Sequence, residues 1–425
     1  MVFPTPSTVI LDAAMSHWKP DAFAHRVELN PRALPTDASY PASLLPILDP
    51  AGFRAAAQEI RGWPGYRQTN LLPLPGLAAA LGLRGIWYKD ESSRFGLGSF
   101  KALGGAYAVY RVLAAAVKAA IGKEPSSAEL MAGAHRDIVG AITVATATDG
   151  NHGRSVAWSA QLFGCRCIVY IHAEVSEGRC EAIAHYGAEV RRIEGNYDDS
   201  VHQVAADAKA KGWIVVSDTS YDGYKDVPRT VMEGYGLIAI ETLDELPADA
   251  RPTHLFIQGG VGGLAAATTA LLWQKLGGER PQVVVVEPDA ADCLFQSAAN
   301  GKPTKVEGDL DTIMAGLAAG EVSLLAWEIL NLGANAFMTV PDDAAISAMR
   351  ALAEGVDGDA PTVGGESGVG GLAGLLAAAS DPKTAETLSL GALSCVLIIG
   401  SEGDTDPVVY ERLVGRSGAD IRAEA

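Results

Sequence analysis

The stretch HLFIQGGVGGLAAA, His254–Ala267, decides the reading of the fold. An apolar run of strand length meets a cluster of glycines, and an Ala/Leu-rich stretch of helical character follows. Strand, glycine turn and helix in that order form the βα unit of a parallel sheet. Glycines let several backbone N–H groups face one anion, and the helix start adds its dipole. Gly259, Gly260, Val261, Gly262, Gly263 and Leu264 are therefore a candidate phosphate cradle. The same residues fit a second reading. Gly260, Gly262 and Ala265 match the dinucleotide fingerprint, and Glu287 ends the next strand where a ribose-binding acid belongs. The spacing alone leaves both open.

Outward from this unit the pattern repeats. Strand-like runs are GIWYKDE, ITVATAT, CIVYIHA, AEVRRI, WIVVSDT, QVVVVEP and CVLIIGSEGD. Between them lie stretches of helical period, among them Leu103–Ala120, Arg154–Phe163 and Leu264–Leu276. Short strands alternating with helices imply an α/β chain with mostly parallel sheets. Such sheets hold ligands at the carboxyl ends of their strands, so the residues just after each strand are the ones to inspect. Residues 1 to about 60 read as irregular and proline-rich. Gly355–Gly371, GVDGDAPTVGGESGVGG, is either a flexible connection or backbone that approaches something closely.

Composition narrows the classes. The 425 residues are 48% hydrophobic with a formal charge of -18, enough for a sizeable core and opposite to a nucleic-acid footprint. Anionic membrane surfaces are disfavoured for the same reason. The apolar runs are broken by polar residues and the N-terminus lacks a secretory pattern, so a cytoplasmic protein without membrane spans is expected. Five cysteines make no disulfide framework. Cys165 and Cys167 alternate within a strand and read as buried thiols; no Cys/His group has metal-ligand spacing, so no metal is expected.

Four further strand ends carry chemistry. In RFGLGSFKALGGAY, Arg94–Tyr107, Lys101 opens a helix among apolar neighbours, where poor solvation and the helix dipole both favour a neutral, nucleophilic amine. A lysine whose head reaches water is the plainer reading. In ATATDGNHGRSVAWSA, Ala145–Ala160, Asp149-Gly150-Asn151-His152-Gly153 turn from strand to helix. That turn is an anion-binding helix start, with Asn151 able to bond a ring oxygen, or an ordinary capped βα turn. Ser401 ends a hydrophobic strand, as a ring-nitrogen partner or a cap. Asp218 follows the strand WIVV.

Taken together, an amine, an Asn loop, a glycine cradle and a strand-end hydroxyl, in that order, make the chain resemble the pyridoxal-phosphate enzymes of the tryptophan-synthase-β, or fold type II, class. Within it the sequence is similar to the diaminopropionate ammonia-lyases. KDESSRFGLGSFKALGGAYA, TATDGNHGRSVAW, NYDDSV, EPDAADC, DTIMAGLAAGE, GGESGVGGLAG and SEGDTDP carry the likeness from about residue 64 to 407. The dehydrogenase reading gives no reason for the other three motifs.

The resemblance implies a two-domain α/β fold with the active site in the cleft between the domains. The larger domain would hold residues 1–104 and 226–425, and the smaller residues 105–225. It implies pyridoxal 5'-phosphate as cofactor, with Lys101 as the Schiff-base lysine beside Phe100. Gly259 to Leu264 would hold the phosphate, Asn151 the ring oxygen and Ser401 the ring nitrogen. Thr148, Asp149, Gly150, His152 and Asp218 would form the substrate site, with Lys101, Asp149 and Asp218 catalytic. The implied activity is α,β-elimination of D- and L-2,3-diaminopropionate through an aminoacrylate to pyruvate and two ammonia, by a homodimer. A serine/threonine dehydratase-type eliminase is the alternative; those enzymes carry a serine where Asp149 stands here. Three departures from the family pattern are visible: Ser401 for a threonine, Asn70 for a proline after Thr69, and GLGSFK before the lysine instead of GLNAFK. The small residues Ala102 to Gly105 read as room for the cofactor ring.

Overall fold

The protein is described by a computed structural model covering residues 19–148, 150–173, 175–195 and 197–424. The described residues form eleven strands: β1 (Arg26–Leu29), β2 (Leu71–Pro73), β3 (Gly85–Asp90), β4 (Thr143–Ala147), β5 (Arg166–Ile171), β6 (Glu189–Arg192), β7 (Ile214–Val215), β8 (His254–Gln258), β9 (Gln282–Pro288), β10 (Ala336–Val340) and β11 (Cys395–Gly400). They form two sheets. The larger runs β1-β10-β9-β8-β11-β3-β2, parallel within and antiparallel at both edges. The smaller, β6-β5-β4-β7, is parallel throughout.

The near-continuous apolar strands follow from this architecture. β8, β10 and β11 are buried from end to end, and β9 from its second residue onward, because helices cover both faces. Alternate residues feed two separate cores: Leu255, Ile257, Val283 and Val285 point into one, Phe256, Val284 and Val286 into the other. Each such side chain contributes about 1.5–3 kcal/mol on burial. The first of these cores also takes in Val144, Val169 and Ile171 of the smaller sheet, so the two lobes share packing. The helix Lys101–Ile121 lies in that shared core, against the helices Asn151–Phe163 and Asp226–Glu245. It is long and apolar enough to cross a bilayer, but its first ten residues after Lys101 are almost all buried in this packing, together with Leu113, Ala114 and Val117.

The Gly355–Gly371 stretch closely approaches other backbone. Residues 362–370 are buried, and a Cβ on Gly365 would lie 2.1 Å from the Gly403 carbonyl oxygen. The five cysteines are free thiols, four of them buried. Three strands lack the sequence signal of the others. β1 and β2 are short edge strands, and β10, AFMTV, has too few β-branched residues to stand out.

Candidate active site

The carboxyl ends of β3, β4, β7, β8 and β11 open onto one cavity between the two sheets. Each delivers a group singled out from the sequence. β3 leads to Phe100 and Lys101. β4 brings Thr148, Gly150, Asn151 and His152, and β7 brings Asp218. β8 supplies Gly259, Gly260, Val261, Gly263 and Leu264, and β11 supplies Ser401; all of these line the cavity. Gly262 does not. Its φ of 97° turns the loop, and a Cβ there would face Ala326 and Leu330. Asp149 lies outside the described residues.

The approach to Lys101 is held from below by buried charges. Arg94 donates to Glu91 and Glu241, each at 2.7 Å, and to the Thr69 hydroxyl at 3.0 Å. All of these side chains are removed from solvent, so each charge depends on its partner. Gly96 and Gly98, at φ of 70° and 74°, then fold the chain back. Ser99 bridges to Glu402, and the Phe100 N–H donates to the Ser401 carbonyl at 2.9 Å. This contact fixes the helix start that carries Lys101 against the end of β11.

The glycines after Lys101 do not make room for a ring. A Cβ on Gly104 would lie 2.4 Å from Tyr235 and 2.6 Å from the Val231 carbonyl oxygen; one on Gly105 would lie 2.3 Å from the Ser155 hydroxyl. Both are needed for close helix packing. Ser155 uses the proximity to donate to the Lys101 carbonyl at 2.8 Å.

The Lys101 amine is ion-paired with the Asp218 carboxylate. Burial alone would raise the Asp218 carboxyl. The Lys101 charge, and after it His152, more than offset that and hold it well below the usual carboxylate range. The His152 Nε2–H donates to the Val216 carbonyl at 2.9 Å, which turns Nδ1 toward Asp218, 3.9 Å away. Thr148 is engaged locally: its hydroxyl accepts from the N–H groups of Gly150 at 3.0 Å and Gly153 at 3.2 Å, shaping the turn.

The residues present fit a phosphorylated pyridine. The helix Gly263–Leu276 begins at the cavity wall, and its first-turn N–H groups have no acceptor within the helix. A nitrogen partner is ready at the other end. The Ser401 hydroxyl oxygen accepts from Gln258 Nε2 at 2.5 Å, which leaves its hydrogen free to donate. Gln258 is itself buried, and its Oε1 has no hydrogen-bond partner among the described residues.

Glu287 answers the dinucleotide reading. It is fully buried behind the glycine loop and accepts from the N–H groups of Leu294 at 2.9 Å and Phe295 at 2.7 Å. It caps the helix Cys293–Asn300 and faces no ligand space. Burial pushes its carboxyl up to about 8.

Several lining residues carry no signal of their own in the sequence. Tyr235 sits mid-helix, with its ring 4.6 Å from that of Phe100. Arg179 and Glu402 also face the cavity, as does the segment Ala315–Ala319. Glu402 had a usable clue, since it directly follows Ser401 beyond the strand end.

The chain matches the model of the family described as pyridoxal-phosphate dependent enzyme over residues 62–390. It is 41% identical to the diaminopropionate ammonia-lyase of Salmonella typhimurium over 364 residues, 83% of this chain and 90% of that one. The holo diaminopropionate ammonia-lyase of Escherichia coli superposes with a TM-score of 0.83 at 35% identity, covering 93% of this chain and 98% of that one. The same enzyme in complex with an aminoacrylate-PLP azomethine reaction intermediate gives 0.81 at 33% identity, with the same coverage.

Proposed function

Starting from a chain that belongs to the pyridoxal-phosphate-dependent enzymes and, within them, to the diaminopropionate ammonia-lyases, we propose that it converts 2,3-diaminopropionate and water to pyruvate and two ammonia. One observation carries the reading: strand ends of two sheets bring an amine, a carboxylate, a glycine cradle and a hydroxyl to one cavity.

Lys101 would hold the cofactor covalently. The loop from Gly259 to Leu264 would take its phosphate, Asn151 its ring oxygen and Ser401 its ring nitrogen. Bound there, pyridoxal phosphate supplies an electron sink that acidifies the α-C–H of an attached amino acid. Ser401 is a neutral donor, so it leaves the ring nitrogen without a formal positive charge and favours prompt elimination.

The protein's own groups then divide the proton work. Lys101 Nζ, free of the cofactor, takes the α-proton of the L-isomer. Asp149 is assigned the same task on the opposite face for the D-isomer. Asp218, a carboxylate at the cavity wall, anchors the second ammonium of the substrate. His152 positions Asp218 from behind. The ring pair Phe100 and Tyr235 forms an apolar wall beside Lys101.

A cytosolic homodimer completes the proposal, supported by the acidic charge, the free thiols and the family. The test is steady-state turnover of D- and L-diaminopropionate against serine and threonine, with pyruvate and ammonia both measured. Two ammonia per pyruvate and a clear preference for diaminopropionate are expected. A preference for threonine would make the protein a dehydratase.

A further inference from the structure

Asn151 and Glu402 meet across the cleft. Asn151 opens a helix beside the smaller sheet, and Glu402 lies two residues beyond β11 of the larger. The Asn151 amide nitrogen donates to Glu402 Oε2. Glu402 Oε1 accepts from the Ser367 N–H at 3.0 Å, and its backbone carbonyl accepts from Gly365 at 2.9 Å. The carboxylate is thus clamped from its own domain while it grips the other.

Glu366 lies close behind. It is 1% exposed, its Oε1 is 3.3 Å from the Arg179 guanidinium, and its Oε2 has no hydrogen-bond partner among the described residues. Two buried carboxyls side by side do not both stay charged. Burial first, and the Glu402 charge second, push Glu366 up to about 8. Burial raises Glu402 as well, but is opposed first by the Arg179 charge and then by the hydrogen bonds from Ser367 and Asn151. Glu402 is the member of the pair whose two oxygens both accept N–H hydrogen bonds, one from Asn151 and one from Ser367, as a carboxylate does.

A carboxylate only accepts, whereas a side-chain amide has a donor end and an acceptor end of nearly equal shape. An ionised Glu402 therefore decides which end of Asn151 faces it. We propose that Glu402 is a positioning residue for the cofactor: it fixes the nitrogen end of the Asn151 amide, so that the second N–H of the same group is the donor offered to the ring oxygen. The inference rests on the reading of Asn151 as the ring-oxygen ligand of pyridoxal phosphate.

Three readouts test it: the dissociation constant of pyridoxal phosphate from the apoprotein, the position of the bound cofactor's visible band, and the melting temperature of the apoprotein. Glu402→Gln frees the Asn151 amide to turn. Cofactor affinity should fall at least about tenfold and the band should shift, with the apoprotein still folded. The double variant Asn151→Asp with Glu402→Gln restores a hydrogen bond across the cleft with its direction reversed. It should keep the melting temperature but recover neither affinity nor band. Should Glu402→Gln not fold, Glu402→Asp, which draws the charge back by one methylene, is read the same way. Wild-type affinity and band in the single variant, or their recovery in the double one, would overturn the inference alone. A wild-type protein that takes up no pyridoxal phosphate would overturn it together with the proposed function.

Discussion

Strands β7 and β9 each run into a buried acid, Asp218 and Glu287, and the two acids are pushed in opposite directions. Asp218 is drawn below the usual carboxylate range by the Lys101 ammonium and, less strongly, by His152. Glu287 has no cation beside it among the described residues. Two backbone N–H groups bond it, burial dominates, and its carboxyl rises to about 8. Asp218 lies just past the end of its strand and Glu287 at the end of its own, and both are hidden from solvent, so position and burial do not separate them. A cationic partner and an open cavity do: Asp218 lines the cavity and Glu287 does not. The cavity keeps one charged acid at its wall, and another acid behind the glycine loop serves as a helix cap.

The comparison can be broken from the Asp218 side first. Lys101→Ala removes the cation and the covalent anchor together, so turnover should fall by at least about 10⁴-fold. Pyruvate formation by the variant at a rate near wild type would remove Lys101 from the mechanism. Asp218→Asn keeps the shape and removes the charge. A loss of roughly 10²–10³-fold in kcat/KM for diaminopropionate is expected, with a smaller loss for serine, which lacks the second ammonium. Equal losses on both substrates would show that Asp218 serves Lys101 only. Ser401→Ala removes the free hydroxyl hydrogen, and cofactor affinity should weaken roughly tenfold by equilibrium titration.

The smallest effect lies on the Glu287 side and is read as stability. Its folded carboxyl is raised above the ordinary value of about 4.3, so the folded state holds the proton more tightly than the unfolded chain does. The stability it contributes is complete below that ordinary value and is lost as pH rises through about 8. Asp218 has the opposite sign: its contribution is present above the ordinary carboxylate range and is lost as pH falls. In a melting series from pH 5 to 9, Glu287→Gln should therefore lose less stability with rising pH than wild type. The difference should be a few degrees. Parallel curves would mean that Glu287 is already ionised in the fold.

Sequence and structure agree best where the signal is local. Runs such as VVVV and VLII are fully buried parallel strands, and length with β-branching is enough to read them. The strand-end rule led to Asn151, Asp218, the glycine loop and Ser401, because each adjoins a readable strand, and to Lys101, because it opens the helix that follows one. Groups that reach the site from mid-helix or from a distant loop were hidden. Tyr235 and Glu366 are ordinary residues until the chain folds and they come to lie beside Phe100 and Arg179. In sequence Lys101 has apolar neighbours, yet in space it pairs with the carboxylate of Asp218, 117 residues away. Gly104 and Gly105 show the converse: small residues next to a reactive group suggested ligand space, and helix packing had claimed it.

Everything proposed for the cavity depends on Lys101, in contact with Asp218, being the amine that would carry the cofactor. Borohydride reduction of the cofactor-loaded protein, followed by peptide mass mapping, tests it directly. One phosphopyridoxyl group per chain is expected, on the peptide that contains Lys101. A label on another lysine, or none on a protein that still forms pyruvate from diaminopropionate, would contradict it.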